Sequence, residues 1–228
     1  MRARIFADRR EAGRLLGARV VEVRYGDGVP EAGATEPVVL GLARGGVPVA
    51  REVADAIAAS TGRCAMDVLV VRKIGAPGHE EFAMGALTAH HLVVNDDIPR
   101  RLGVSRSEFD EAADRQRRIL DDRERRYRGG RPGTELGGRT VILVDDGLAT
   151  GSSMAVAVDS VRSAGATHVV VAVPTAPSDS IQRLRDRGAD DVIVLVTPEP
   201  FRAVGLSYGD FTQVDDDEVI AALSRPGD

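Results

Sequence analysis

VILVDDGLATGSS, residues 141–153, decides how the rest of the chain is read. Four apolar residues run into two adjacent acids, Asp145 and Asp146, and then into a turn rich in glycine and hydroxyl side chains. A short continuous apolar run bounded by turn residues is a strand buried on both faces, as in a parallel sheet covered by helices. A core strand gains nothing from two carboxylates at its end. The turn gains more. Gly147 and Gly151 let the backbone bend tightly, and a helix beginning near Ser152 presents free N–H groups and a positive dipole end to an anion. Thr150, Ser152 and Ser153 add hydroxyl donors. Ionised Asp145 and Asp146 can only accept, which suits a diol such as the two hydroxyls of a ribose. A helix cap needs one such residue, so five polar groups in nine positions point to a ligand.

Towards the C-terminus the pattern repeats. The runs THVVVAVP and DDVIVLV alternate with the amphipathic stretches SSMAVAVDSVRSAG and SDSIQRLRDRG. Towards the N-terminus, PVVLGL (37–42) is a buried strand followed by ARGG and a helix with Pro48 in its first turn. MDVLVVRK (66–73) is an apolar run of strand length, and LVVND (92–96) is a shorter one. Residues 8–18 predict a short helix capped by Asp8. Residues 74–91, punctuated by glycine and proline and with little periodicity, predict a long loop with at most a short hairpin. Ser105 and Glu108 form a capping box at the head of a long helix reaching Arg128. Its acids and arginines suggest i,i+4 pairs: Glu111–Arg115, Asp114–Arg118, Asp121–Arg125 and Asp122–Arg126. The predicted fold is α/β, a single domain built on an open, mainly parallel sheet with helices on both faces. Ligands of such sheets lie at the carboxyl ends of the strands. Three loops there carry unusual chemistry: ARGG after residue 42, Arg72 and Lys73 with the segment that follows, and DDGLATGSS.

A net charge of −5 excludes a general affinity for nucleic acid or anionic membranes. One cysteine cannot form an internal disulfide, and no apolar run reaches the length of a membrane span or a signal sequence, so a soluble cytoplasmic protein is expected. Lys73 is the single lysine among 30 basic residues. Arginine-biased composition explains the scarcity of lysine but not where this one sits.

Residues 141–153 resemble the phosphoribosyl pyrophosphate motif of the type I phosphoribosyltransferases: four apolar residues, two acids, two mostly apolar residues, then small and hydroxyl residues around a glycine. Gly147 departs from the pattern, since a larger apolar residue is usual there. The resemblance covers residues 37–211 and implies transfer of a 5-phosphoribosyl group from phosphoribosyl pyrophosphate to a nitrogenous base, with Mg²⁺ and release of pyrophosphate. It gives Asp145 and Asp146 the ribose hydroxyls, and Ala149, Thr150, Gly151, Ser152 and Ser153 the 5-phosphate. Ala43, Arg44, Gly45 and Gly46 take the pyrophosphate, with a cis peptide expected at Ala43–Arg44. Arg72 and Lys73 open a flexible lid, 74–91, and bear on the pyrophosphate. Within the lid, His79, Glu80 and Glu81 are candidates to approach the leaving group or Mg²⁺.

A C-terminal hood, 197–228, is loosely similar to the base-binding stretch of the 6-oxopurine enzymes, one residue out of register. It offers Phe201 and Val204 to the base and Asp210 to Mg²⁺. Ala149 stands where those enzymes carry a third acid, as in adenine-type enzymes. Residues 97–138 form a helical insertion, and a homodimer is expected from the family. Two other classes use the same residues: a regulator that binds phosphoribosyl pyrophosphate or a nucleotide without turnover, and a metal-dependent phosphate-ester hydrolase built on the Asp pair.

Overall fold

The computed structural model describes residues 6–26, 35–95 and 97–224, without the side chain of Glu81. In chain order the elements are α1 (Arg9–Tyr25), β1 (Val38–Leu42), α2 (Gly46–Thr61), β2 (Ala65–Leu69), β3 (Arg72–Ala76), β4 (His79–Leu87) and β5 (Leu92–Val94). They continue with α3 (Asp97–Leu102), α4 (Arg106–Arg128), β6 (Thr140–Val144), α5 (Ser152–Ser163), β7 (His168–Thr175), α6 (Ser178–Asp186), β8 (Asp191–Val196) and α7 (Asp216–Leu223). A 3-10 turn, Val204–Ser207, precedes α7.

Five strands form the predicted parallel sheet in the order β2-β1-β6-β7-β8. Side chains alternate across it. Val141 and Leu143 pack with Val169 and Val171 against Met154 and Val158 of α5. Ile142 and Val144 pack with Val170 against Leu16 of α1 and Val53 and Ile57 of α2. Both faces are therefore sealed, as the uninterrupted apolar runs require. The motif strand β6 lies between β1 and β7, which brings the loops after β1 and β6 side by side.

Two expectations are corrected. The run 66–73 is not one strand: β2 ends at Leu69 and β3 starts at Arg72, in a different sheet. Residues 74–91 are not a loop but belong mostly to a three-stranded antiparallel sheet, β3-β4-β5. Its alternation is hidden by small residues and by register shifts around Gly75. Gly85 belongs there because a Cβ would lie 2.3 Å from the carbonyl oxygen of Val93 on the adjoining strand. One face of the sheet nevertheless buries Ile74, Met84 and Leu87 against Phe109 and Leu120 of α4.

The capping box of α4 forms as expected. Its ion pairs differ from the i,i+4 scheme. Asp114 and Asp122 pair with Arg117 and Arg125 at i+3, both at 3.4 Å, while Arg126 leaves the helix to meet Asp216 of α7 at 2.8 Å. A tertiary carboxylate thus displaces the local partner. Asp8 caps α1, accepting from the backbone N–H of Glu11 at 2.7 Å, but the helix runs on to Tyr25. Helices α3 and α7 have no counterpart in the sequence pattern above.

Candidate active site

The motif residues form the site's floor. Gly151 adopts a left-handed conformation, φ 74°, and α5 starts directly after it with no side-chain cap. Thr150 and Ser152 are exposed and share a hydroxyl–hydroxyl hydrogen bond of 2.8 Å. Ala149 is exposed and Ser153 half-buried beside them. A short turn of unspent backbone donors and hydroxyls at a helix start is an anion cradle. Gly147, the departure from the motif, has a local reason. Its φ is +159°, and a Cβ there would lie 2.5 Å from Cγ1 of Val204 and 2.8 Å from Cγ2 of Thr175. Val204, expected to touch a base, fills space that a larger residue 147 would need.

Asp145 and Asp146 stand at the carboxyl end of β6. Asp146 is only 14% exposed. Its backbone N–H donates to Oδ1 of Asp145 at 2.9 Å. The Asp145 carboxyl is pushed well above the usual range by burial and then by the Asp146 charge. Burial also raises Asp146, against the pull of the Arg9 charge and hydrogen bond. Such a pair holds negative charge at a cost, and a hydroxyl-rich ligand or a cation relieves it.

The loop after β1 packs directly on these acids. The Ala43–Arg44 peptide is cis, as expected from the resemblance. A Cβ on Gly45 would sit 2.1 Å from Oδ2 of Asp146, and one on Gly46 would sit 2.8 Å from Cα of Asp145. Only glycines allow this backbone to approach the pair so closely. The Arg44 side chain turns away, its Nη1 3.7 Å from Oδ1 of Asp216.

Arg72 and Lys73 lie beyond the end of β2, but successive strand residues face opposite ways. Arg72 donates from Nε and Nη2 to Oε1 of Gln116 on α4, at 3.0 and 2.7 Å. Lys73 lines a cavity of about 310 Å³ with Asn95, Ser152, Ser153 and Arg187, between the small sheet and the cradle. The structure therefore splits the pair, with Lys73 on the cradle side. A larger cavity, about 530 Å³, lies among Asp67, Glu124 and Arg128 and is lined by none of the predicted site residues. His79 and Glu80 are exposed on β4, where the His79 ring meets that of Phe82 edge-on at 6.3 Å. The Glu81 side chain lies outside the described residues.

A roof unread in the sequence covers the acids. Arg9, at the start of α1, donates from Nε to Oδ2 of Asp146 at 2.8 Å and from Nη1 to the carbonyl of Thr212 at 2.7 Å. Its guanidinium lies 4.0 Å from the ring centroid of Phe211. Phe211 stacks on Tyr208 at 4.9 Å, and Tyr208 contacts Phe6 at 5.5 Å. The Tyr208 hydroxyl donates to the backbone carbonyl of Asp146, and its pKa is raised by burial and the Asp146 charge, so it remains a donor. Only the acid-containing motif marked this place in sequence. Arg9 is one of many arginines, and no local spacing links it to residue 146.

The remaining hood residues are dispersed. Phe201 is half-buried just after a cis Glu199–Pro200 peptide. Asp210 is exposed, and its carboxylate already accepts from the N–H and hydroxyl of Thr212, which hold its pKa low. Residues 225–228 of the predicted hood lie outside the described residues. Among the described residues no group of three or more His, Cys, Asp or Glu side chains could hold a metal by itself. The hard oxygen donors of the Asp pair, with the Arg9 guanidinium on Asp146, fit a divalent cation only if a ligand supplies further oxygens.

Comparison with known proteins agrees with this geometry. The model of the phosphoribosyl transferase domain family matches residues 18–205. Two Mycobacterium tuberculosis proteins, each named "Putative phosphoribosyl transferase", are 43% identical to the chain over 223 residues. The match takes in 97% of this chain but 47% of theirs, so the chain spans about half the length of those relatives. The crystal structure of TT1426 from Thermus thermophilus is similar in fold, with TM-score 0.76 and 42% identity, covering 96% of this chain and 97% of that one. With Asp145 and Asp146 set between a glycine loop and a hydroxyl cradle on a parallel sheet, the chain belongs to the phosphoribosyl transferase domain family.

Proposed function

We propose that the protein is an enzyme that transfers the 5-phosphoribosyl group of phosphoribosyl pyrophosphate to a nitrogenous base, releasing pyrophosphate. The observation that carries this reading is the meeting of three parts at the Asp pair. The hydroxyl cradle (149–153) takes the 5-phosphate, Asp145 and Asp146 take the ribose hydroxyls, and the backbone at residues 43–46 takes the pyrophosphate. The anomeric carbon gains positive character as its bond to pyrophosphate stretches, and buried carboxylates beside the sugar favour that charge. Lys73, on the cradle side, favours the negative charge on the leaving group, and Arg44 and Arg72 would do so by turning in from Asp216 and Gln116. Mg²⁺, held through the ligand beside Asp145 and Asp146, would neutralise that charge further. Ala149, without a carboxylate, favours an adenine-like acceptor over a 6-oxopurine. We place the enzyme in the cytoplasm as a homodimer; no helix among the described residues is long and apolar enough to cross a membrane.

Calorimetry with phosphoribosyl pyrophosphate and Mg²⁺ tests the reading. Micromolar binding, abolished by Asp145→Asn/Asp146→Asn, is expected, followed by pyrophosphate release with one member of a panel of bases. Binding with no release for any base would point to a regulator. Failure of the wild type to bind would return the Asp pair to the hydrolase reading.

A further inference from the structure

We infer that Arg123, on the inserted helix α4, is a third guanidinium of the pyrophosphate end of this site, acting with Arg44 and Arg72. The inference rests on the phosphoribosyltransferase reading and extends it to a segment outside the motifs that support it. Gln116, Leu120, Arg123 and Tyr127 fall at i, i+4, i+7 and i+11, one stripe of a helix. The structure joins the two ends of that stripe to the side chains of Arg72 and, through Asp216, of Arg44. Gln116 accepts from Arg72, as described above. Tyr127 donates from its hydroxyl to Oδ1 of Asp216 at 2.7 Å, the same oxygen that Arg44 approaches. Leu120 between them is fully buried. Arg123 therefore projects between the Arg72 end and the Arg44 end. In keeping with this, burial and then the charge of Arg123 lower the Arg72 pKa.

The pairing on α4 singles this residue out. Arg106, Arg117 and Arg125 are exposed and paired with carboxylates one turn away. Arg128, half-buried, is saturated by Asp67, Glu124 and the carbonyl of Val68. Arg123 is also half-buried, yet it has no hydrogen bond or ion pair among the described residues. Arg44, Arg123 and Arg126 all act on one carboxylate, Asp216, with Arg126 also reaching the exposed Asp217, while Arg72 is met by a neutral amide. Three guanidiniums with so little countercharge repel one another until an anion joins them. Two linked phosphates supply several negative oxygens, and planar guanidiniums bind such oxygens in pairs. The glycine backbone at residues 45–46 adjoins this cluster through Arg44. The same helix that packs on the small sheet thus completes the leaving-group site.

The test titrates Mg²⁺–pyrophosphate and, separately, ribose 5-phosphate into wild type, Arg123→Ala, Arg123→Lys and the exposed control Arg118→Ala. Arg123→Ala is expected to weaken pyrophosphate by about 10- to 100-fold. Ribose 5-phosphate binding should be unchanged, Arg123→Lys should recover part of the loss, and Arg118→Ala should match wild type. Pyrophosphate affinity within about twofold of wild type in Arg123→Ala overturns the inference and leaves the functional reading intact. Equal losses for both ligands, with a lowered Tm, also overturn it by making Arg123 a packing residue. A wild type that binds neither pyrophosphate nor phosphoribosyl pyrophosphate overturns the reading beneath it.

Discussion

The floor and the roof of the site are built on different principles. The floor, residues 145–153, is one continuous stretch in which a strand, a tight turn and a helix start impose the geometry locally. Its hydroxyls bond mainly to one another and face outward. The roof is assembled from both ends of the chain: Phe6 and Arg9 from one, Tyr208, Phe211 and Thr212 from the other. Its donors are already engaged, Arg9 with Asp146 and Tyr208 with the carbonyl of the same residue. The floor is ready for an anion. The roof instead already occupies Oδ2 of Asp146, so a ribose hydroxyl directed at that oxygen would share it with Arg9 or displace it.

The largest effect that tests this division falls on the floor. Asp146→Asn should lower kcat/KM by about 10²- to 10³-fold with the fold intact, measured by pyrophosphate release once an acceptor is known. Near-normal turnover would remove Asp146 from the chemistry. Next comes the contact between floor and glycine loop. Gly45→Ala forces a methyl group onto Oδ2 of Asp146 and should cost about 1–3 kcal/mol in urea unfolding. Phosphoribosyl pyrophosphate binding should fall with it, and an unchanged midpoint would mean that the loop yields freely.

Asp145→Asn should do the opposite for stability. The raised pKa of Asp145 means that its ionised form costs the fold stability above that pKa, and the cost fades as pH falls through it. Asparagine removes the charge while its carbonyl oxygen can still accept from the Asp146 N–H. At neutral pH we expect a gain of about 1 kcal/mol, or roughly 2–4 °C in Tm by calorimetry, with ligand binding impaired. A lower Tm would show that the charge is compensated in the apo protein.

The smallest effect belongs to the roof. Arg9 lowers the pKa of both acids, so Arg9→Ala lets both rise. Binding that needs the ionised pair is lost as pH falls through those values, and in the variant this loss should begin at a higher pH. Affinity for phosphoribosyl pyrophosphate measured across pH would reveal the shift. Coincident profiles would mean that Arg9 leaves the acids before the ligand arrives.

The same division explains what is legible in the sequence. The β6 motif, the parallel sheet and the glycine loop are local patterns, and each appears where its residues predict. The small sheet at residues 72–94 escapes because Gly75, Gly85 and the isolated Ala76, Ala83 and Ala86 carry too little side chain to display a period of two. The split of Arg72 from Lys73 follows from strand alternation, which is visible only once that segment is known to be a strand. Arg9 and Tyr208 escape for another reason: contacts 137 and 62 residues away from Asp146 leave no spacing to read. Val204 stands out by resemblance, but its packing on Gly147 needs coordinates.

The small sheet also limits how the site can shut. Thr88, at the end of β4, shares a buried hydroxyl–hydroxyl hydrogen bond of 2.7 Å with Ser160 of α5, the helix whose first turn is the cradle. Both side chains are almost wholly sealed from water. The sheet is therefore moored at its root to the helix that starts in the proposed phosphate cradle, and it is stiffened by its own ladder. Its far end is the tight turn at residues 77–78, with Phe82 exposed nearby on β4. Any closing of the small sheet over a ligand is thereby expected at that turn and not at the root.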